Sequence, residues 1–100
     1  MNCYEVINIC SQFLGRGFVL RGCYLADQLP VRKYRGAYNE FFVVNILTSR
    51  HRSSEMGHYV LVVNGRSSIA YFDSYGIQPH IYSPWLQAFI DQYYKKFSQY

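Results

Sequence analysis

His58 and Asp73 bracket a stretch that reads as a β-hairpin, running Gly-His-Tyr-Val-Leu-Val-Val-Asn-Gly-Arg-Ser-Ser-Ile-Ala-Tyr-Phe-Asp-Ser-Tyr-Gly-Ile-Gln-Pro from Gly57 to Pro79. An imidazole beside a carboxylate is a general base with its orienter. The carboxylate fixes the ring tautomer and stabilises the imidazolium formed when the ring takes up a proton. Whether the chain can bring the two together is a question of register. Two β-branched and aromatic runs, His58 to Val63 and Ser68 to Asp73, flank the turn formers Asn64, Gly65, Arg66 and Ser67. A loop of all four sets Val63 against Ser68 and His58 against Asp73. A two-residue loop at Asn64 and Gly65 sets His58 against Tyr71, with Asp73 diagonal to it. Both keep the pair on one face, because side chains alternate with a period of two; only an odd-length loop separates them.

A thiol would complete a catalytic set. The cysteines are Cys3, Cys10 and Cys23, and none follows Cys23. Cys, then His on a strand, then Asp on the next strand is the order of papain-like and transglutaminase-like enzymes, whose Cys sits at a helix N-terminus that lowers its pKa. Cys23, ahead of a short turn at Tyr24, is the candidate for that role. Cys3 and Cys10 fall on one helical face and read as small core residues. An odd cysteine count without a C-x-x-C pair argues against a disulfide framework and a zinc site, and neither a metal nor an organic cofactor is expected. His51 and His80 lack the context of His58 and read as surface residues.

The same stretch carries a family likeness. Gly57-His58, then Tyr71-Phe72-Asp73-Ser74-Tyr75-Gly76 and Pro79, resemble the His and Asp segments of the adenain-like and ubiquitin-like-protein-specific cysteine proteases. Upstream, Gly22-Cys23-Tyr24, Asp27-Gln28-Leu29-Pro30 and the strand Phe42-Val43-Val44-Asn45 resemble the lead-in of the adenovirus-protease branch. The likeness spans roughly residues 13 to 92, and the FDSYG-x-x-P string is its most specific part. It implies a papain-like cysteine-protease fold, α+β and partial, with an N-terminal helix, a central sheet containing the hairpin and a C-terminal helix. It implies peptide or isopeptide hydrolysis through a thioester, with His58 as general base and Asp73 as orienter. The family order continues with an oxyanion-hole Gln and a Cys nucleophile, and these 100 residues contain no such segment. Tyr59 also stands where the family usually has Trp. The expectation is a single, incomplete protease-like domain over residues 1–100 that does not cleave by itself: a fragment or a degenerate copy.

The remaining elements must position the pair. Asn2 with Glu5 forms a capping box for a helix from Cys3 to Leu14, with Val6, Ile9, Cys10, Phe13 and Leu14 at helical spacing and Gly15 ending it. Gly15, Gly17 and Gly22 suggest a flexible loop, and Tyr24 to Leu29 a short helical turn stopped by Pro30. Arg32 to Asn39 and Thr48 to Gly57 read as polar loops, the second leading to the histidine. Phe41 to Leu47 is apolar on both parities, as are the hairpin arms, so the sheet should be covered on both faces. Ser83 caps a last helix with Pro84 at its first position and Trp85, Leu86, Phe89, Ile90, Tyr93 and Phe97 as its apolar stripe.

Composition sets bounds. Half of the 100 residues are hydrophobic, enough to build a core, and the aromatic fraction of 19% includes 11 tyrosines suited to half-wet boundaries. Ten Lys and Arg against six Asp and Glu leave a net charge of +4. Arg32, Lys33, Arg35, Arg50, Arg52 and Arg66 fall in or beside loops, which suits an acidic partner, nucleic acid included, or plain solvation. No segment approaches the ~20 apolar residues of a membrane span, and the cysteine usage suggests a reducing, intracellular setting in cytoplasm, nucleus or virion. The expected partners are a protein or peptide substrate, and association through an exposed sheet edge. The rival class is a non-catalytic module descended from the protease that binds protein or nucleic acid.

Overall fold

The computed structural model describes residues 3–30, 39–47 and 57–100. Their elements, in chain order, are α1 (Cys3–Leu14), β1 (Val19–Leu25), β2 (Glu40–Asn45), β3 (Tyr59–Asn64), β4 (Ser68–Phe72), α2 (Pro79–Tyr82), α3 (Pro84–Asp91) and β5 (Lys96–Gln99). The strands lie side by side in chain order, so β1 and β5 are the edges. β2, β3 and β4 pair antiparallel, whereas β1 joins β2 and β5 joins β4 in parallel.

Apolar residues of both parities cover two faces. Phe42, Val44, Val60, Val62, Ile69 and Tyr71 meet Leu86, Phe89, Ile90 and Tyr93 on one side. Phe41, Val43, Leu61 and Val63 meet Val6, Ile7, Cys10 and Leu14 of α1 on the other. The two-sided sheet expected from the sequence is thus present, one helical layer per face. Within α1 the buried stripe is rotated from the expected one: Ile9 and Phe13 are exposed, and Ile7 turns inward instead.

Three expectations are corrected. Within the glycine-marked stretch, Val19–Leu25 is strand β1 rather than loop, since pairing with the buried β2 outweighs local propensity, and the helical turn expected from Tyr24 is reduced to one hydrogen-bonded turn from Leu25 to Gln28. Gly22 takes a bulge in that strand at φ 156°, and the Tyr24 ring packs where a Cβ would stand. The last helix stops at Asp91, so the chain does not close on a helix. Tyr94 adopts φ 52° and turns the chain into β5, which carries Phe97 away from the helical stripe; Trp85 is exposed as well. The cap at Asn2, His51 and nearly all of both polar loops lie outside the described residues.

A buried polar chain crosses the sheet at the hairpin-turn end. Arg21 Nε donates to Glu40 Oε1 at 2.7 Å, and Asn64 Nδ2 donates to Glu40 Oε2 at 2.8 Å. Lys95 Nζ donates to Asn64 Oδ1 at 2.6 Å and to the Gly65 carbonyl at 2.9 Å. Burial pulls the Lys95 pKa below the ordinary lysine value, with the Glu40 charge opposing. The chain ties β1, β2 and β3 to the start of β5. Breaking a fully buried ion pair costs about 3–5 kcal/mol. The Arg21 side chain is 43% exposed and can turn to water. Glu40→Ala is therefore expected to cost about 2–3 kcal/mol, read as a lower urea midpoint at unchanged slope.

Candidate active site

The hairpin takes a register two residues beyond the one expected from a four-residue loop and four beyond the one expected from a two-residue loop. Asn64 pairs with Ile69, Val62 with Tyr71, and the Gly65 N–H donates to the Ser68 carbonyl at 2.9 Å, leaving Arg66 and Ser67 at the tip. In that register Asp73 stays diagonal to His58, and Tyr75 is the residue carried toward the histidine. The parity argument survives, because every even-length loop preserves the face. His58 Nε2 lies 2.5 Å from Asp73 Oδ1.

Each partner is held from several elements. The Ile46 N–H donates to the His58 carbonyl at 2.9 Å, and Gly57 packs so closely on the Asn45 side chain that a Cβ there would collide with it. Tyr75 stacks on the imidazole with centroids 4.6 Å apart, and the Tyr82 ring lies tilted at 5.7 Å. Asp73 Oδ2 accepts from the Ile77 N–H at 2.8 Å and from the Tyr82 hydroxyl at 2.7 Å. Its backbone N–H points to the Tyr100 carbonyl just past β5. The Asp73 side chain is fully buried, while that of His58 keeps 20% of its surface exposed. His58 borders a cavity of about 230 Å³ together with Val6, Gly57, Tyr59 and Ser74.

Burial alone would raise the Asp73 pKa, but hydrogen bonds from His58, Tyr82 and the Ile77 and Tyr75 backbone outweigh it and hold the carboxyl below the ordinary value of 3.8. Burial first, then the adjacent carboxylate, pushes the Tyr82 and Tyr71 hydroxyls well above the ordinary 10.0. A folded pKa lowered at Asp73 adds stability that is present above pH 3.8 and lost as pH falls through the folded value. Folded pKa values raised at Tyr71 and Tyr82 add stability that is present below pH 10.0 and lost as pH rises through them. Melting temperature measured across pH should therefore fall on both sides of that window, and Tyr82→Phe should weaken the alkaline fall.

The expected cysteine does not join the pair. Cys23 is disulfide-bonded, so its sulfur is no thiolate, and it pairs with Val43 in β1, one strand removed from β3. The odd count and spacing of cysteines, read as arguing against a disulfide, are corrected by that bond, because sequence separation does not set distance across a sheet. Cys10 is free and half-buried, and burial raises its thiol pKa, which disfavours the reactive thiolate. His80 is exposed. No group of three or more His, Cys, Asp or Glu side chains among the described residues is placed to hold a metal ion, and no described helix is long and apolar enough to cross a membrane. Sequence reasoning missed Tyr82 and Ile77 as partners of Asp73. No motif marks them, since the short α2 folds back on the strand end.

These elements define a small compact α+β domain with a five-strand mixed sheet, carrying a histidine–aspartate pair where β3 begins and β4 ends. No family model, no curated protein and no solved structure matches the chain.

Proposed function

We propose that the chain supplies the base-and-orienter half of a thiol hydrolase, in a partial papain-like cysteine-protease fold of the adenain-like or ubiquitin-like-protease lineage. The observation that carries this reading is the 2.5 Å contact of a part-exposed His58 with a fully buried Asp73 at the edge of a cavity. With Nε2 committed to Asp73, Nδ1 is the nitrogen that takes the proton from a thiol. The thiolate attacks a peptide or isopeptide carbonyl, the imidazolium returns the proton to the leaving amine, and water hydrolyses the thioester. The nucleophilic Cys and the oxyanion-hole Gln come from outside these residues. A triad without its nucleophile retains at most ~10³–10⁴ over water, and only when oxyanion hole and substrate binding persist.

The test is to sequence the transcript through the codon for Tyr100 and assay the protein it encodes on a ubiquitin-like fusion and a diglycine-type peptide. The expected result is continuation into a Gln and a Cys, cleavage blocked by thiol alkylation and lost in His58→Ala, and none by the 100-residue chain. Cleavage by the short chain that vanishes on His58→Ala would overturn the division of labour. A stop codon after Tyr100 would favour the binding-module reading, which the exposed Tyr4, Phe13 and Tyr100 and the edge strands β1 and β5 support. For a nucleic-acid partner, affinity would then fall with salt at a log–log slope of about −0.9 per phosphate contacted on duplex DNA.

A further inference from the structure

The Asp73 carboxylate divides its two oxygens between two tasks. Oδ1 faces His58 Nε2, while Oδ2 accepts from both the Tyr82 hydroxyl and the Ile77 N–H. A carboxylate free to turn about its last bond can offer either oxygen in a broad range of directions. Saturating one oxygen with two donors fixes where the other points, and so fixes which imidazole nitrogen carries the proton.

Both donors are themselves braced. The Tyr71 hydroxyl donates to the Ile77 carbonyl at 2.9 Å, so the fully buried Tyr71 holds the peptide whose next-door N–H reaches Asp73. Tyr82 ends α2, which starts at the buried Pro79. It is followed by Ser83, whose N–H closes on the Pro79 carbonyl and whose side chain caps α3 through the N–H groups of Trp85 and Leu86. The Tyr82 ring packs against the core while its hydroxyl reaches the carboxylate. Anchoring and donation thus reside in separable parts of one side chain.

We propose that Tyr82 is a positioning residue for the His58 base, acting through Asp73: its hydroxyl pins Oδ2 so that Oδ1 holds the imidazole proton on Nε2 and leaves Nδ1 open. The inference rests on the histidine–aspartate reading above. It adds a third residue, from a helix outside the hairpin, that selects the working tautomer. Removal of the hydroxyl leaves the carboxylate free to turn and should speed escape of the His58 ring proton about tenfold or more, tenfold being 1.36 kcal/mol of barrier.

The experiment is NMR of the isotopically labelled 100-residue chain. Imidazole nitrogen shifts report the tautomer, solvent exchange of the ring N–H reports its hold, and the Asp73 carboxyl carbon reports its titration. In the unmodified chain the proton is expected on Nε2. In Tyr82→Phe, with amide spectra showing the same fold, the expected result is about tenfold or more faster exchange, some Nδ1–H tautomer, and Asp73 titrating at higher pH than before. Tyr4→Phe, at an exposed position of α1 outside the site, should leave all three unchanged. Tyr82→Phe with unaltered exchange, tautomer and titration would overturn the inference while leaving the His58–Asp73 pair standing. A ring proton on Nδ1 in the unmodified chain would overturn the pair and the inference together. Should Tyr82→Phe fail to fold, 3-fluorotyrosine at position 82 keeps the shape and strengthens the donor. Asp73 should then titrate lower, and an unchanged titration would overturn the inference. None of these readouts needs turnover, so absence of peptidase activity does not bear on them.

Discussion

Asp73→Ala is expected to cost about 3–5 kcal/mol of folding stability. Asp73→Asn, in any longer chain that supplies a thiol, is expected to lose about 10⁴ in kcat. The first figure follows from what the carboxylate serves. Its removal leaves the Tyr82 hydroxyl, the Ile77 N–H and the His58 ring without their acceptor. A stranded buried donor costs about 1–3 kcal/mol, and the lower half of that range applies because all three residues are only half-buried and water can reach them. The second figure follows from tautomer control. A carboxamide of the same shape must turn either its NH₂ toward donors that need an acceptor or its oxygen away from His58, so the ring is no longer held with Nδ1 free. Urea unfolding checks the first and steady-state kinetics the second. An unchanged urea midpoint in Asp73→Ala would mean that the buried carboxylate contributes nothing, and an Asp73→Asn enzyme at full rate would mean that the carboxylate is not what sets the His58 tautomer.

Phe89→Ala is expected to cost about 3–5 kcal/mol, near the top of that range. Phe89 is 4% exposed at the centre of the face covered by α2 and α3. Its ring stands edge-on to Phe42 at 4.9 Å and to Tyr93 at 5.6 Å. Each such pair adds about 0.5–1.5 kcal/mol beyond area burial, and the rigid sheet beneath cannot collapse into the space vacated. The midpoint of urea unfolding should fall at constant slope, and Phe89→Leu, which retains most of the volume, should lose clearly less. A cost below about 1 kcal/mol would show that this face of the sheet is loosely packed. The change also bears on the site, because α3 leads into β5, and the Tyr100 carbonyl beyond β5 receives the Asp73 backbone N–H.

The central strands, the hairpin, the first helix and the Ser83–Pro84 start of α3 were legible in the sequence, because each rests on local chemistry: periodicity, turn formers and caps. Apolar residues on both parities announced a sheet covered on two faces, and the two core clusters sort along those parities. The coplacement of His58 and Asp73 was legible for a stronger reason. Alternation in a strand has a period of two, so the face was right even though the register was not.

What local chemistry does not encode, only the tertiary structure decided. Strand β1 forms on a glycine-marked segment because β2 offers it a parallel partner. Strand β5 forms within an apparent helical stripe because Tyr94 turns the chain and Lys95 reaches the hairpin turn. The bond at Cys23 and the clamp of Tyr82 and Ile77 on Asp73 likewise join residues that no spacing rule connects. Parity along a strand is a property of neighbouring residues and can be read from their order. Which strands become neighbours, and which hydroxyl reaches a buried carboxylate, depends on packing the whole chain at once.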